Sequence, residues 1–168
     1  MSSIPPFFVW AAVLIFVLHN VEEARGIAIW AEKSRSTRLV RWYKTYPFCV
    51  AVTLLSIAFL MLAAWLLWTG SHLAFTLFTL SYAAIFANAI SHIANVIFTK
   101  NPLPGGWTAA FLIFPSGVWF AHYVIEKVIF SGYDLLLLLS AGAVLQVPLA
   151  LVALLLAHGI IWLFYKHK

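Results

Sequence analysis

The residues most able to do chemistry cluster in two short stretches. The first is His19-Asn-Val-Glu22-Glu23. Spacings of three and four place His19 on the same helix face as both carboxylates. The second carries Asn88, His92 and Asn95, again at spacings of four and three, with Ser91 and the small residues Ala84 and Ala87 nearby. Small residues of this kind allow helices to approach closely. Two further candidates are His158 and the one-turn pair His122 and Glu126. Imidazole and carboxylate together suit zinc, manganese or iron, and helix bundles build such sites from inward-facing Glu and His. The expected ligands are His19, Glu23, His92 and His158. Glu22 and Glu23 share the roles of ligand and general base for a metal-bound water. Asn88 and Asn95 are placed to orient ligands or to hydrogen-bond a substrate.

Plainer roles exist for each residue. Glu22 could pair with Arg25 at i+3, Glu23 could reach interfacial water, and His19 could bond a neighbouring helix. Asn in an apolar helix often ties helices together. His122 with Glu126 reads first as a structural pair, His72 as a helix cap, His167 as a tail residue and Cys49 as a small apolar filler.

The elements that must position these groups follow from composition. Of the 168 residues, 64% are apolar and only 9% charged, against roughly a quarter charged in soluble domains. That excludes a soluble globule, a disordered chain and a DNA-binding domain. A single cysteine excludes a disulfide scaffold and a Cys-rich zinc module. A spanning helix takes about 20 residues. The expected fold is therefore an all-α membrane bundle, one transmembrane domain over residues 1–168, with spans near 6–26, 48–69, 72–99, 107–130 and 135–165. The stretch Asn101-Pro-Leu-Pro-Gly-Gly106 is a strong turn signal, and Pro148 is a candidate kink. The start has no basic region before its apolar run, so that run reads as a retained span rather than a signal peptide.

Six of the ten Lys and Arg lie between Arg25 and Lys44, all but Arg25 in an interfacial linker at 27–46 that also carries Trp30, Trp42, Tyr43 and Tyr46. The positive-inside rule places this linker in the cytoplasm. Five spans then put the N-terminus outside and the C-terminus inside, with Lys100 and the tail Lys166-His167-Lys168 also inside. The cluster can also contact anionic lipid heads; there is little aqueous surface for nucleic acid. With a rise of 1.5 Å per residue, His19 lies roughly 9 Å from Arg25, and His92 and His158 roughly 12 Å from Lys100 and Lys166. Three histidines on three helices thus share one level. His122 lies roughly 22 Å from Trp107 and falls outside it.

His19-Asn-Val-Glu22-Glu23, Asn88-Ala-Ile-Ser-His92 and the run Pro104-Gly105…Thr108-Ala109…Pro115 together resemble the HXXEE-domain family of membrane proteins over roughly residues 15 to 120. The resemblance implies an integral membrane protein and supplies no substrate, since the family's function is largely uncharacterised. The resulting expectation is a metal-dependent enzyme acting on a lipid or another membrane-soluble molecule near the cytoplasmic face. Hydrolysis would suit zinc and oxidation would suit iron. There are too few histidines for an eight-histidine di-iron cluster. The alternatives are a metal-free proton-transfer enzyme, a proton or metal carrier, a haem protein ligated by His92 and His158, and a structural subunit. The absence of an internal repeat weighs against a transporter. No organelle address is present, so a plasma or bacterial inner membrane is the default; the sequence does not set an oligomeric state.

Overall fold

The computed structural model describes residues 4–34, 36–100, 102–127 and 129–165, the last without its side chain. Met1 to Ser3, Arg35 of the linker, Asn101 of the turn and the Lys166-His167-Lys168 tail lie outside them. The described chain is helical, with α1 at Pro6–Lys33, α2 at Thr37–Trp42, α3 at Thr45–Thr69, α4 at His72–Phe98, α5 at Gly106–Thr108, α6 at Phe114–Glu126 and α7 at Gly132–Tyr165. A π-helical turn, Ala109–Ile113, fuses α5 to α6. Five helices are long and apolar enough to cross a membrane: α1, α3, α4, the fused Gly106–Glu126 and α7.

Two span ends differ from the sequence reading by more than three residues, and α3 and α7 each start three residues early. The first span does not stop at Gly26; α1 continues to Lys33. A glycine inside a helix costs about 1 kcal/mol, but Ile27 is buried in an apolar cluster with Phe48, Ala51, Val52, Ala153, Leu154 and Ala157, and that burial carries the helix past it. Much of the expected interfacial linker is therefore helix, ending in the short α2, which Ser36 caps by accepting from Leu39 N–H at 3.4 Å. The fourth span ends at Glu126 rather than near 130. Pro115 does not break it. In the π turn Phe114 N–H reaches back five residues to Ala109 O, and the wider turn makes room for the ring.

Turns obey ordinary stereochemistry. α3 ends on Gly70 in the left-handed region, φ 58°. Ser71, rather than His72, caps α4 by accepting from Ala74 N–H at 3.2 Å.

Two apolar clusters hold the bundle. One gathers Phe8, Phe59, Phe78, Tyr82, Phe120 and their neighbours; Phe8 stacks on Phe120 with ring centroids 5.0 Å apart. The other, around Ile27 and Leu154, lies toward the basic segment. Along α1 the residues between them include His19, Asn20, Glu22 and Glu23, while on α4 Asn88 and His92 alternate with Ala89 and Ile93 of the first cluster. On α1 the polar residues thus form a layer between two greasy ones. Across α4 and α7, a Cβ added at Gly142 would stand 2.6 Å from Ala84 N, the close backbone approach that small residues permit in membranes.

Gly142→Leu should therefore push α4 and α7 apart, costing about 1–3 kcal/mol as overpacking does and lowering the unfolding temperature in detergent. Gly159→Leu, where nothing lies within 4 Å of an added Cβ, should leave it unchanged.

Candidate metal centre

Spacing along α1 brings His19 and Glu23 to one face, and α4 presents His92 to the same point. One ligand atom from each of these three residues lies within 4.8 Å of the other two. Glu23 Oε1 is 2.8 Å from His92 Nε2 and 3.7 Å from His19 Nε2. The two imidazoles meet edge to face, centroids 5.1 Å apart. His19 and His92 are almost wholly buried, and Glu23 retains 14% exposure.

A third element closes the site. The loop before α5 is held by Asn95, whose Oδ1 accepts from Leu103 N–H at 2.7 Å. Pro104 then packs on Gly26, where an added Cβ would come within 2.6 Å of it. Gly105 adopts φ +98°, open to glycine and strained for other residues. An added Cβ there would lie 2.8 Å from both Glu23 Cγ and His19 Cε1, and 3.2 Å from His92 Cε1. The backbone of Gly105 is thus a lid laid directly on the three candidate ligands.

Glu22 has a different task. The helix that begins at Gly106 exposes N–H groups that need acceptors, and Gly105 has no side chain to cap them. Glu22 supplies the acceptor from another helix, taking bonds from Trp107 N–H at 3.2 Å, Thr108 N–H at 2.8 Å and Thr108 Oγ1 at 2.6 Å. The threonine hydroxyl has one proton. When it donates that proton to Glu22, its oxygen accepts from His19 Nδ1–H, 2.8 Å away. This order of donors fixes the His19 tautomer and leaves the Nε2 lone pair facing Glu23. Asn88 Nδ2 donates to it at 3.2 Å. A carboxylate acting through one hydroxyl to orient a ligand imidazole is the arrangement metal sites use around their ligands.

His158 is not brought to this group. Equal depth does not fix the direction a side chain faces. Leu154 and Ala157 of α7 turn into the core, while His158 bonds its own helix, Nδ1 to Leu154 O at 2.9 Å, and packs on Trp42 with centroids 5.2 Å apart. His92 and His158 are thus engaged separately, not as the facing pair a haem would need. His122 and Glu126 form a pair at 3.6 Å, exposed at 76% and 58%, away from the cluster. Asn95 serves the loop rather than the ligands.

A cavity of about 410 Å³ adjoins the group, within the usual range for small-molecule sites. Glu23, Asn88 and His92 contribute to its wall, with Asn20, Tyr43 and Gln146 as further polar groups. Asn20 is itself tied to Ser56 at 2.9 Å. Burial, and after it the charge of Glu23, raise the Tyr43 phenol above its ordinary value, so Tyr43 stays a protonated donor. Sequence reasoning gave no role in the site to Thr108, Gly105, Tyr43 or Gln146. Gln146 carried a readable signal, an amide inside an apolar span; Thr108 carried none apart from its place in the motif run.

His92 meets Glu23 through Nε2, and Nδ1 across the ring is buried without a hydrogen-bond partner among the described residues. Ligand atoms around a tetrahedral zinc bonded at 2.0–2.2 Å stand roughly 3.3 Å apart, so shifts on the order of 1 Å would seat an ion among these three. Thr108→Val removes the hydroxyl link and should weaken divalent-metal affinity by about 10- to 100-fold, read by titration with zinc; Thr108→Ser should restore it.

No curated protein and no solved structure matches the chain. Residues 10–120 match the family described as "Protein of unknown function with HXXEE motif". That match covers His19, Glu22, Glu23, Asn88, His92, Gly105 and Thr108, the residues that meet at the site, and the chain belongs to this HXXEE family.

Proposed function

We propose that His19, Glu23 and His92 hold one divalent metal ion, and that the protein is a metal-dependent enzyme acting on a membrane-soluble, lipid-like molecule near the cytoplasmic face. The observation that carries this reading is the convergence of the three side chains on the wall of a largely apolar cavity. Three protein ligands leave positions open for water and substrate, as catalytic metal sites do. A bound ion would act as a Lewis acid and acidify a coordinated water.

The surrounding residues have separable roles in this reading. Glu23 brings negative charge to the ion. Thr108 and Glu22 keep His19 in the ligating tautomer. Asn88, which fills the His19 lone pair in the metal-free arrangement, yields it on metal binding and is then free to hydrogen-bond a substrate. Glu22 is occupied by three hydrogen bonds and is a poor general base, so a proton released at the site passes to Glu23 or to water. Two histidines and a carboxylate serve zinc in hydrolysis and iron in oxidation; the identity of the ion decides the reaction class.

One contact favours a second reading. Without metal, Glu23 and His92 already share a hydrogen bond of 2.8 Å, which suits general acid–base proton transfer.

Elemental analysis separates the two. Protein purified in mild detergent without chelator should carry near-stoichiometric zinc, iron or manganese. His92→Ala and Glu23→Ala should lose it, and His122→Ala should keep it. Folded wild-type protein that neither retains nor takes up these metals would discard the metal reading and leave proton transfer.

A further inference from the structure

The cavity extends well beyond the metal-ligating group. On α1 its wall is formed at Phe16, Asn20, Glu23, Ile27 and Trp30, successive steps of three and four that make one helix face. On α3 the lining runs from Phe48 to Leu62. Each stretch covers 14 residue steps, roughly 21 Å of helix axis. About 410 Å³ over such a length is long and narrow. It runs parallel to the helices, as a lipid tail does, and has room for one chain rather than two.

Two residues lining this space carry a buried polar atom without a partner among the described residues, His92 at Nδ1 within the group of candidate ligands and Gln146 outside it. Gln146 on α7 lines the cavity, and its Oε1 is buried with no hydrogen-bond partner. A carbonyl oxygen held in an apolar wall without a donor keeps the cost of its lost hydration. An occupant with an O–H or N–H group at that point would remove the cost. Hydrocarbon tails of membrane lipids offer no such donor.

We propose that the cavity binds a single-chain amphiphile, an apolar chain carrying a hydroxyl or amide N–H that donates to Gln146 Oε1. This names the substrate class of the proposed centre and in that sense rests on it, but the binding itself needs only the cavity and Gln146. The chain lies against Phe16, Phe59 and Leu62, and the donor group sits beside Asn88 and Glu23 where the chemistry would occur.

The test uses purified full-length protein in nanodiscs and a photoreactive long-chain primary alcohol. Its arms are the corresponding primary amide, the methyl ether, the alkane and a two-chain phosphatidylcholine. The alcohol and amide should bind and label cavity-lining residues. The methyl ether, which has no donor, should bind wild type about tenfold more weakly. Gln146→Met should reduce alcohol binding by the same factor and leave the ether unaffected. Ala150→Trp, which fills the cavity, should abolish labelling by both. Wild-type protein stripped of metal by a chelator should still bind the alcohol, so failure of the metal reading is visible separately from failure of this one. The ether comparison needs no variant and stands even where Gln146→Met does not fold. Equal binding of alcohol and ether, preferential capture of the two-chain lipid, or labelling confined to the outer helix faces would overturn the proposal.

Discussion

A helix that begins inside a membrane protein leaves its first N–H groups without partners, and hydrocarbon offers none. In the fourth span those groups belong to Trp107 and Thr108, and the acceptor is the Glu22 carboxylate of the first span. Most of the site follows from that one attachment. It docks α5 on α1, lays Gly105 over His19, Glu23 and His92, and puts the Thr108 hydroxyl where it orders the His19 tautomer. The carboxylate is tolerated at this depth because three donors surround it. The adjacent pair Glu22-Glu23 is thus a division of labour: one acid assembles the site, and its neighbour takes part in it.

The polar layer also has a place in the packing. The cavity lies where the aromatic cluster around Phe78 meets the one around Leu154, lined by Phe59 and Ile85 of the first and by Ile27, Phe48 and Leu154 of the second. Asn20, Asn88, His92 and Gln146 line it as well. In a bilayer such groups are held by partners on other helices, as Asn20 is by Ser56 and Asn88 by His19.

Five apolar runs were plain in the sequence because a membrane demands long, charge-poor helices. Their ends were harder to read. Gly26 looks like a stop signal, yet it serves close approach to Pro104 while buried Ile27 and Ala31 carry the helix onward. The meeting of His19 with Glu23 was readable from spacing, and that of His92 from depth. Depth alone also admitted His158, because distance along a helix says nothing about direction around it. The cap made by Glu22 was hidden for another reason. Its partner is a backbone 85 positions away, and backbone N–H groups leave no trace in side-chain chemistry.

The π turn at Ala109–Ile113 has a geometric outcome of its own. One extra residue in a turn leaves every later side chain about 100° behind its place in an uninterrupted helix. The fourth span therefore carries two registers in one rod. Before the turn, Thr108 faces the polar layer. After it, Ser116 meets the Tyr82 hydroxyl at 2.7 Å and Phe120 stacks on Phe8. A helical wheel drawn straight through Gly106–Glu126 sets Phe120 roughly 120° from Thr108, and the extra residue of the π turn takes up most of that angle. The widened turn works as a phase shifter, letting a single helix serve the site at one end and the aromatic packing at the other.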